Sequence, residues 1–107
     1  MTLSTEIDVD TFAARRSGAY MIDVREPDEY VAGHVPGAEL MPLGSLPLHT
    51  GDLPRGRTVH VICASGNRSL RAVQALARAG IDAVSVTGGT TAWVRSGRPV
   101  ITGTRPS

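Results

Sequence analysis

Val59-His60-Val61-Ile62-Cys63-Ala64-Ser65-Gly66-Asn67-Arg68-Ser69 sets a β-branched run directly ahead of the only cysteine in the chain, with a loop of small residues after it. Thr58 to Ile62 holds neither glycine nor proline and reads as a short strand buried on both faces. From Ser69 to Ala79, Leu70, Val73, Leu76 and Ala77 recur at helical spacing, while Arg71, Gln74 and Arg78 fall largely elsewhere. Gly80 then supplies the left-handed residue that commonly ends a helix. Cys63 therefore falls at the carboxyl end of a strand and ahead of a helix N-terminus, where open α/β sheets place their ligands.

At such a junction the unpaired amides of the loop and first helical turn point at whatever fills the turn, and the helix dipole adds positive potential. An anion is stabilised there. For Cys63 the expectation is a thiol pKa drawn below ~8.5, into the range of roughly 3.5–7.5 found at such sites, so that the nucleophilic thiolate is present at neutral pH. Gly66 lets the backbone approach closely, and Arg68 brings a permanent charge within reach, so Arg68→Ala is expected to move the pKa upward. A lone cysteine is most often a small buried hydrophobe. Cys-x-x-Gly-x-Arg-Ser, however, leaves few side chains able to bury the sulfur, so the local context favours an open, reactive thiol.

The length of 107 residues suits one domain spanning 1–107, and the apolar fraction of 41% is that of a globular protein. A net charge of +1 gives no electrostatic case for nucleic acid or an acidic membrane surface. All 11 basic residues are arginine, and no function follows from that. One cysteine excludes an internal disulfide and a multi-cysteine zinc site. Met1 to Asp10 carries Glu6, Asp8 and Asp10 without an unbroken apolar run, so it does not read as a signal peptide. Nothing approaches a membrane span, and the expected compartment is a reducing cytoplasm.

In chain order, Leu3 to Ile7 reads as an edge strand, and Asp8 or Asp10 as the cap of a helix through Phe12, Ala13 and Ala14 that ends at Gly18. Ala19 to Val24 is an apolar run of strand length. Pro27, Asp28 and Glu29 suit the first turn of a helix that Gly33 closes. Gly33 to Ala38 is a turn, Glu39 to Met41 a brief strand, Pro42 to Leu48 at most a turn or two of helix, and Thr50 to Gly56 a surface loop. Asp82 to Val86 reads as the last strand, Thr87-Gly88-Gly89 leads into a helix through Trp93 that stops at Gly97, and Ile101 to Ser107 reads as a loose tail. Five strands alternating with helices imply an α/β fold, an open, mostly parallel five-stranded sheet with helices on both faces. Arg25 and Gly88-Gly89 follow their strands as Cys63 follows its own, so all three converge on one shallow site.

These residues together resemble the rhodanese domain family over nearly the whole chain. Three motifs carry the resemblance: Ile22-Asp23-Val24-Arg25-Glu26-Pro27-Asp28-Glu29-Tyr30 with Gly33-His34-Val35-Pro36-Gly37-Ala38, the Cys63 loop, and Gly88-Gly89 with Trp93 and Gly97-Arg98-Pro99-Val100. The resemblance implies a sulfurtransferase: Cys63 takes a sulfane sulfur from thiosulfate or a persulfide, becomes a persulfide, and passes the outer sulfur to cyanide or a thiol. It makes Cys63 the nucleophile and Ala64, Ser65, Gly66, Asn67, Arg68 and Ser69 the cradle for the persulfide anion. No metal or organic cofactor is needed. The partners implied are a small sulfur donor and acceptor, or a sulfur-relay protein.

Cys63 through Arg68 is the six-residue loop length of the family's sulfurtransferases; its phosphatase-like relatives have one residue more, which disfavours phosphatase or arsenate reductase activity. Thiosulfate-preferring members often carry basic side chains where this chain has Ala64, Ser65 and Glu29, which leaves a low-molecular-weight persulfide or a protein as donor equally open. A non-catalytic or carrier module that relays sulfur to a protein partner is the alternative of another class.

Asp23 and Arg25 read first as a structural charge pair that orders the loop, with a role of Arg25 toward substrate as the alternative. His34, in its Gly-His-x-Pro-Gly turn, reads as a hydrogen-bonded structural histidine, while His49 and His60 lack partners at ligand spacing. Trp93 reads as packing a helix onto the sheet. Gly88-Gly89 reads as close approach near the site, not nucleotide binding. Ser69 either caps the helix or donates to the sulfur.

Overall fold

The computed structural model describes residues 5–107. Five strands, β1 (Glu6–Ile7), β2 (Tyr20–Asp23), β3 (Glu39–Leu40), β4 (Val59–Ile62) and β5 (Ala83–Val86), form one sheet in the order β1-β5-β4-β2-β3, and every pairing is parallel. Leu3 and Ser4, the start of the expected first strand, lie outside the described residues. The helices are α1 (Val9–Arg15), α2 (Pro27–Ala32), α3 (Asn67–Arg78) and α4 (Gly89–Arg95), with 3₁₀ turns at Leu43–Leu48 and Thr50–Asp52. Among the described residues no helix is long and apolar enough to cross a membrane.

The central position of β4 explains its unbroken apolar character, because a parallel strand between two others is covered on both faces. Val59 and Val61 join Ile22, Val24 and the α3 residues Ala72, Val73 and Leu76 in one core layer. Ile62 joins Met21, Val86, Phe12 of α1 and Trp93 of α4 in the other. Phe12 meets Trp93 edge-on at 5.6 Å between ring centroids, and burying a phenylalanine of this kind contributes roughly 1.5–3 kcal/mol. The Trp93 indole N–H donates to the Pro99 carbonyl at 2.7 Å, which fastens α4 to the chain that follows it.

Local signals set the helix ends. Asp8 accepts the Thr11 amide at 2.7 Å as the cap of α1. Pro27 opens α2, where the Glu29 carboxylate reaches back to the Glu26 amide at 3.0 Å. Helix α3 starts at Asn67, two residues before the expected Ser69, because Gly66 at φ +107° absorbs the turn out of the loop.

Ile101 to Ser107 is not the loose tail its composition implies. Ile101 and His34 exchange both main-chain hydrogen bonds at 2.9 Å, the Gly103 amide donates to Val31 O at 2.9 Å, and the Gly37 amide donates to Pro106 O at 2.7 Å. The His34 ring, stacked on Tyr30, lies between the carbonyls of Tyr30 and Arg105 at 2.8 and 2.7 Å. Main-chain pairing of this kind needs no apolar periodicity, so no sequence pattern announces it.

His60 is buried against Phe12, and its Nε2 has no hydrogen-bond partner among the described residues. Burial holds its pKa below 6.5, against the pull of the Tyr20 carbonyl, with Arg15 adding to the depression and Asp82 opposing it. The folded state therefore binds the neutral ring. Its contribution to stability is complete above the unfolded value and is lost as pH falls below it. The thermal midpoint should fall more steeply between about pH 7 and about pH 5 for the native protein than for His60→Leu; equal slopes would remove His60 as the cause.

Candidate active site

β4 delivers Cys63 to the carboxyl edge of the sheet, and Gly66 turns the chain into α3 so that its own amide donates to the Cys63 sulfur at 3.0 Å. The Ser69 hydroxyl lies 3.4 Å from Sγ. Burial pushes the thiol pKa up. The Ser69 hydroxyl and the amides of Ser69, Gly66 and Ser65 pull it down and prevail, so the thiol sits below its ordinary value.

Cys63 is 0% exposed, which corrects the expectation of an open thiol. The sequence offers few side chains to cover the sulfur, but the contacts made at 3.0 and 3.4 Å come from loop backbone and one small hydroxyl. Of the other loop residues, Ser65 and Asn67 are exposed, and Ala64 borders a cavity.

The second wall is the start of α4. The Thr90 amide and hydroxyl both donate to the Cys63 carbonyl, at 2.8 and 3.1 Å, and the Thr91 amide donates to Ala64 O at 3.1 Å. Gly89 has φ +55°, and a Cβ there would run into the Cys63 carbonyl oxygen and stand 2.8 Å from Ala64 O. These are backbone atoms and cannot rotate away. Gly89→Ala should cost on the order of 2–3 kcal/mol, read as a lower denaturant midpoint, through overpacking and a disfavoured backbone region; a midpoint within error of the native protein would show that the loop yields.

Asp23 and Arg25 form the expected pair. Arg25 Nη2 stands 2.8 Å from Asp23 Oδ2 and Nε 3.0 Å from Oδ1, with side chains 7% and 0% exposed. Nη2 also donates to the Gly33 carbonyl at 2.8 Å, tying the end of β2 to the end of α2. Arg25 further borders a cavity of about 350 Å³ with Ala64, Thr90, Thr91, Val94 and Arg95. Cys63, Arg25 and the Gly88-Gly89 turn are thus brought together, as the strand order requires.

Arg68 is not a free charge. Its guanidinium grips the Glu29 carboxylate through two hydrogen bonds, 2.6 and 2.8 Å, from a position 39 residues away. The Arg68 hydrogen bonds hold the Glu29 pKa down to about 2. The acid that looks out of place beside Tyr30 is the partner of the loop arginine. The upward pKa shift expected from Arg68→Ala keeps its sign but is reduced, because Arg68 and the Cys63 sulfur still attract each other while Glu29 offsets part of that charge.

Two contributors carry no sequence signal. Thr90 anchors the Cys63 carbonyl, and Ser85 on β5 places its hydroxyl 2.6 Å from the Ser69 hydroxyl beneath the loop. Each is a small polar residue whose role depends on a neighbour distant along the chain.

A cysteine at a strand end, ringed by amides under a glycine-shaped wall, defines a class of anion-stabilising thiol site. Residues 8–96 match the model of the rhodanese-like domain, and the chain belongs to that family. It is 32% identical over 100 residues to a protein of Allochromatium vinosum named sulfurtransferase, covering 90% of this chain and 94% of that protein. It is 39% identical over 82 residues to the probable adenylyltransferase/sulfurtransferase MoeZ of Mycobacterium tuberculosis, covering 74% of this chain but only 21% of that longer protein. A crystal structure of a rhodanese-related protein from Thermoplasma volcanium superposes with a TM-score of 0.86 at 33% identity, covering 92% of this chain and 98% of that one.

Proposed function

We propose that this protein is a sulfurtransferase that carries sulfane sulfur on Cys63. The Cys63 thiolate attacks the outer sulfur of a donor, either thiosulfate or a persulfide. The S–S bond of the donor breaks, and its electron pair leaves with sulfite or the donor thiolate. The Cys63 persulfide anion that remains is stabilised by the amides that stabilise the thiolate. Attack on its outer sulfur by cyanide or a thiolate acceptor releases the Cys63 thiolate. Each step exchanges one S–S bond for another, or for a bond from carbon to sulfur, and no outside oxidant is needed.

The observation that carries this reading is the 3.0 Å hydrogen bond from the Gly66 amide to Sγ, with the Ser69 hydroxyl on the same atom. The Gly66 amide as it stands, and the Ser69 hydroxyl once its proton turns to the sulfur, would stabilise negative charge on sulfur in a partly desolvated site. A cytoplasmic setting suits the chemistry because it keeps the thiol reduced.

A carrier role that relays sulfur to a protein partner is favoured by two other observations. The sulfur is covered, so a donor must displace part of the rim, and Glu29 already engages Arg68, so the loop presents no lone cation to a small dianion. Intact-mass measurement after incubation with thiosulfate, glutathione persulfide, or a protein persulfide separates the readings. Uptake of one cyanide-labile sulfur atom from a small donor, with turnover, supports the enzyme; uptake from protein persulfide alone supports the carrier. No uptake from any donor sinks both.

A further inference from the structure

The Ser69 hydroxyl must change partners when Cys63 changes charge. In the thiol state the S–H faces Ser69 Oγ at 3.4 Å, while Ser69 Oγ donates to the Gly66 carbonyl at 3.1 Å. A thiolate has no proton to give. To serve it, the Ser69 O–H must turn toward Sγ and leave the Gly66 carbonyl, which retains the Leu70 amide at 3.3 Å.

Ser85 is bound to the oxygen about which this exchange turns. Its hydroxyl lies 2.6 Å from Ser69 Oγ, and the two residues are 0% and 1% exposed, so water does not stand in for either. A hydroxyl both donates and accepts. Since Ser69 gives its one proton to the Gly66 carbonyl, Ser85 already donates to Ser69 Oγ; when the Ser69 O–H turns to the sulfur this bond stays and holds the oxygen in place, and a chain of aligned donors strengthens each member. We infer that Ser85 is a positioning residue, which orients the Ser69 hydroxyl so that it donates to the ionised Cys63 sulfur. The role rests on the reading of Cys63 as the working thiolate, and it extends the site from the loop to β5.

Other charges around the loop do not duplicate this service. Asp23 is paired with Arg25 at the end of β2, and Glu29 of α2 with Arg68 of α3. On β1, Glu6 stands across from Ser85 in register, and its carboxylate accepts from the Thr87 hydroxyl. The Ser69 hydroxyl itself meets Cys63, Gly66 and Ser85, so the Ser85 hydroxyl is the neighbour fitted to hold it when the sulfur ionises.

The test is the pH profile of Cys63 alkylation by iodoacetamide on the full chain. The midpoint reports ionisation, and the plateau at high pH reports access. Ser85→Ala should raise the midpoint, lowering the rate roughly two- to tenfold below it, as loss of one hydrogen bond to a charge-bearing network predicts, with the plateau unchanged. Ser85→Thr and Ser85→Val form a matched pair of near-equal shape that differs in the hydroxyl, and they decide the matter if alanine compromises folding. Threonine should hold the native midpoint and valine should raise it. Val86→Ala, a packing change on the same strand, should leave it in place. Coincident midpoints for Thr and Val overturn the assignment. Because alkylation does not require sulfur transfer, a protein that takes up no sulfur still yields this answer, and the two ideas fail separately.

Discussion

Cys63→Ser should lose sulfur uptake completely, with no gain of a sulfur atom in intact mass from any donor. An alkoxide is inaccessible at neutral pH, and oxygen offers no route to a persulfide, so no residual path remains through this site. The fold should survive. The serine oxygen can still accept from the Gly66 amide, which meets the sulfur at 3.0 Å, and can still meet the Ser69 hydroxyl. A buried polar group that keeps its partners changes stability by about 1 kcal/mol or less. The circular dichroism spectrum should match the native one, with a denaturation midpoint close to it. Sulfur uptake that persists in this variant, which has no other cysteine, would remove Cys63 from the mechanism altogether.

Asp23→Ala should be the most damaging single change to stability, at about 3–5 kcal/mol, because it strands a guanidinium that is 7% exposed. Against a whole-domain stability of roughly 5–15 kcal/mol, that is enough to leave a visible unfolded fraction at room temperature in a marginal case. Arg25 would keep the Gly33 carbonyl at 2.8 Å but lose every carboxylate contact, and the Arg25 amide would lose its acceptor at 3.0 Å. Asp23→Asn retains an acceptor and should cost less. Asp23→Ala combined with Arg25→Met removes both charges and should recover part of the loss, since an apolar pair avoids the buried cation. Urea melts of the three variants check this order. A double variant less stable than Asp23→Ala would show that Arg25 matters for more than its partner.

Both predictions draw on residues that stand out along the chain, yet for different reasons. Cys63 is marked by its position between a β-branched run and a small-residue turn, and the α/β reading follows from how such runs alternate with helical spacing. Asp23 and Arg25 lie two residues apart, so their pairing is nearly a local matter. The covering of the sulfur is not. Counting side chains in the loop implies an open thiol, whereas the residue is fully buried with the Gly66 amide and the Ser69 hydroxyl set against its sulfur.

Glu29 and Arg68 make the same point for charge. Along the chain each is an isolated peculiarity, and only the packing of α2 beside the loop shows that one neutralises the other. Ile101 to Ser107 carries turn-forming residues, and its main-chain bonds to Val31, His34 and Gly37 appear only once the fold returns it there.

The order of elements, the parallel sheet and the sulfur at a strand end before a helix were determined by the sequence alone, because hydrophobic period and glycine placement act within a few residues. Which charges cancel, how deeply the thiol lies, that Ser85 sits beneath Ser69, and where the last residues dock were decided only by the tertiary structure. Coulomb forces, hydrogen bonds and burial depend on separation in space, and groups tens of residues apart become neighbours only after the sheet is assembled.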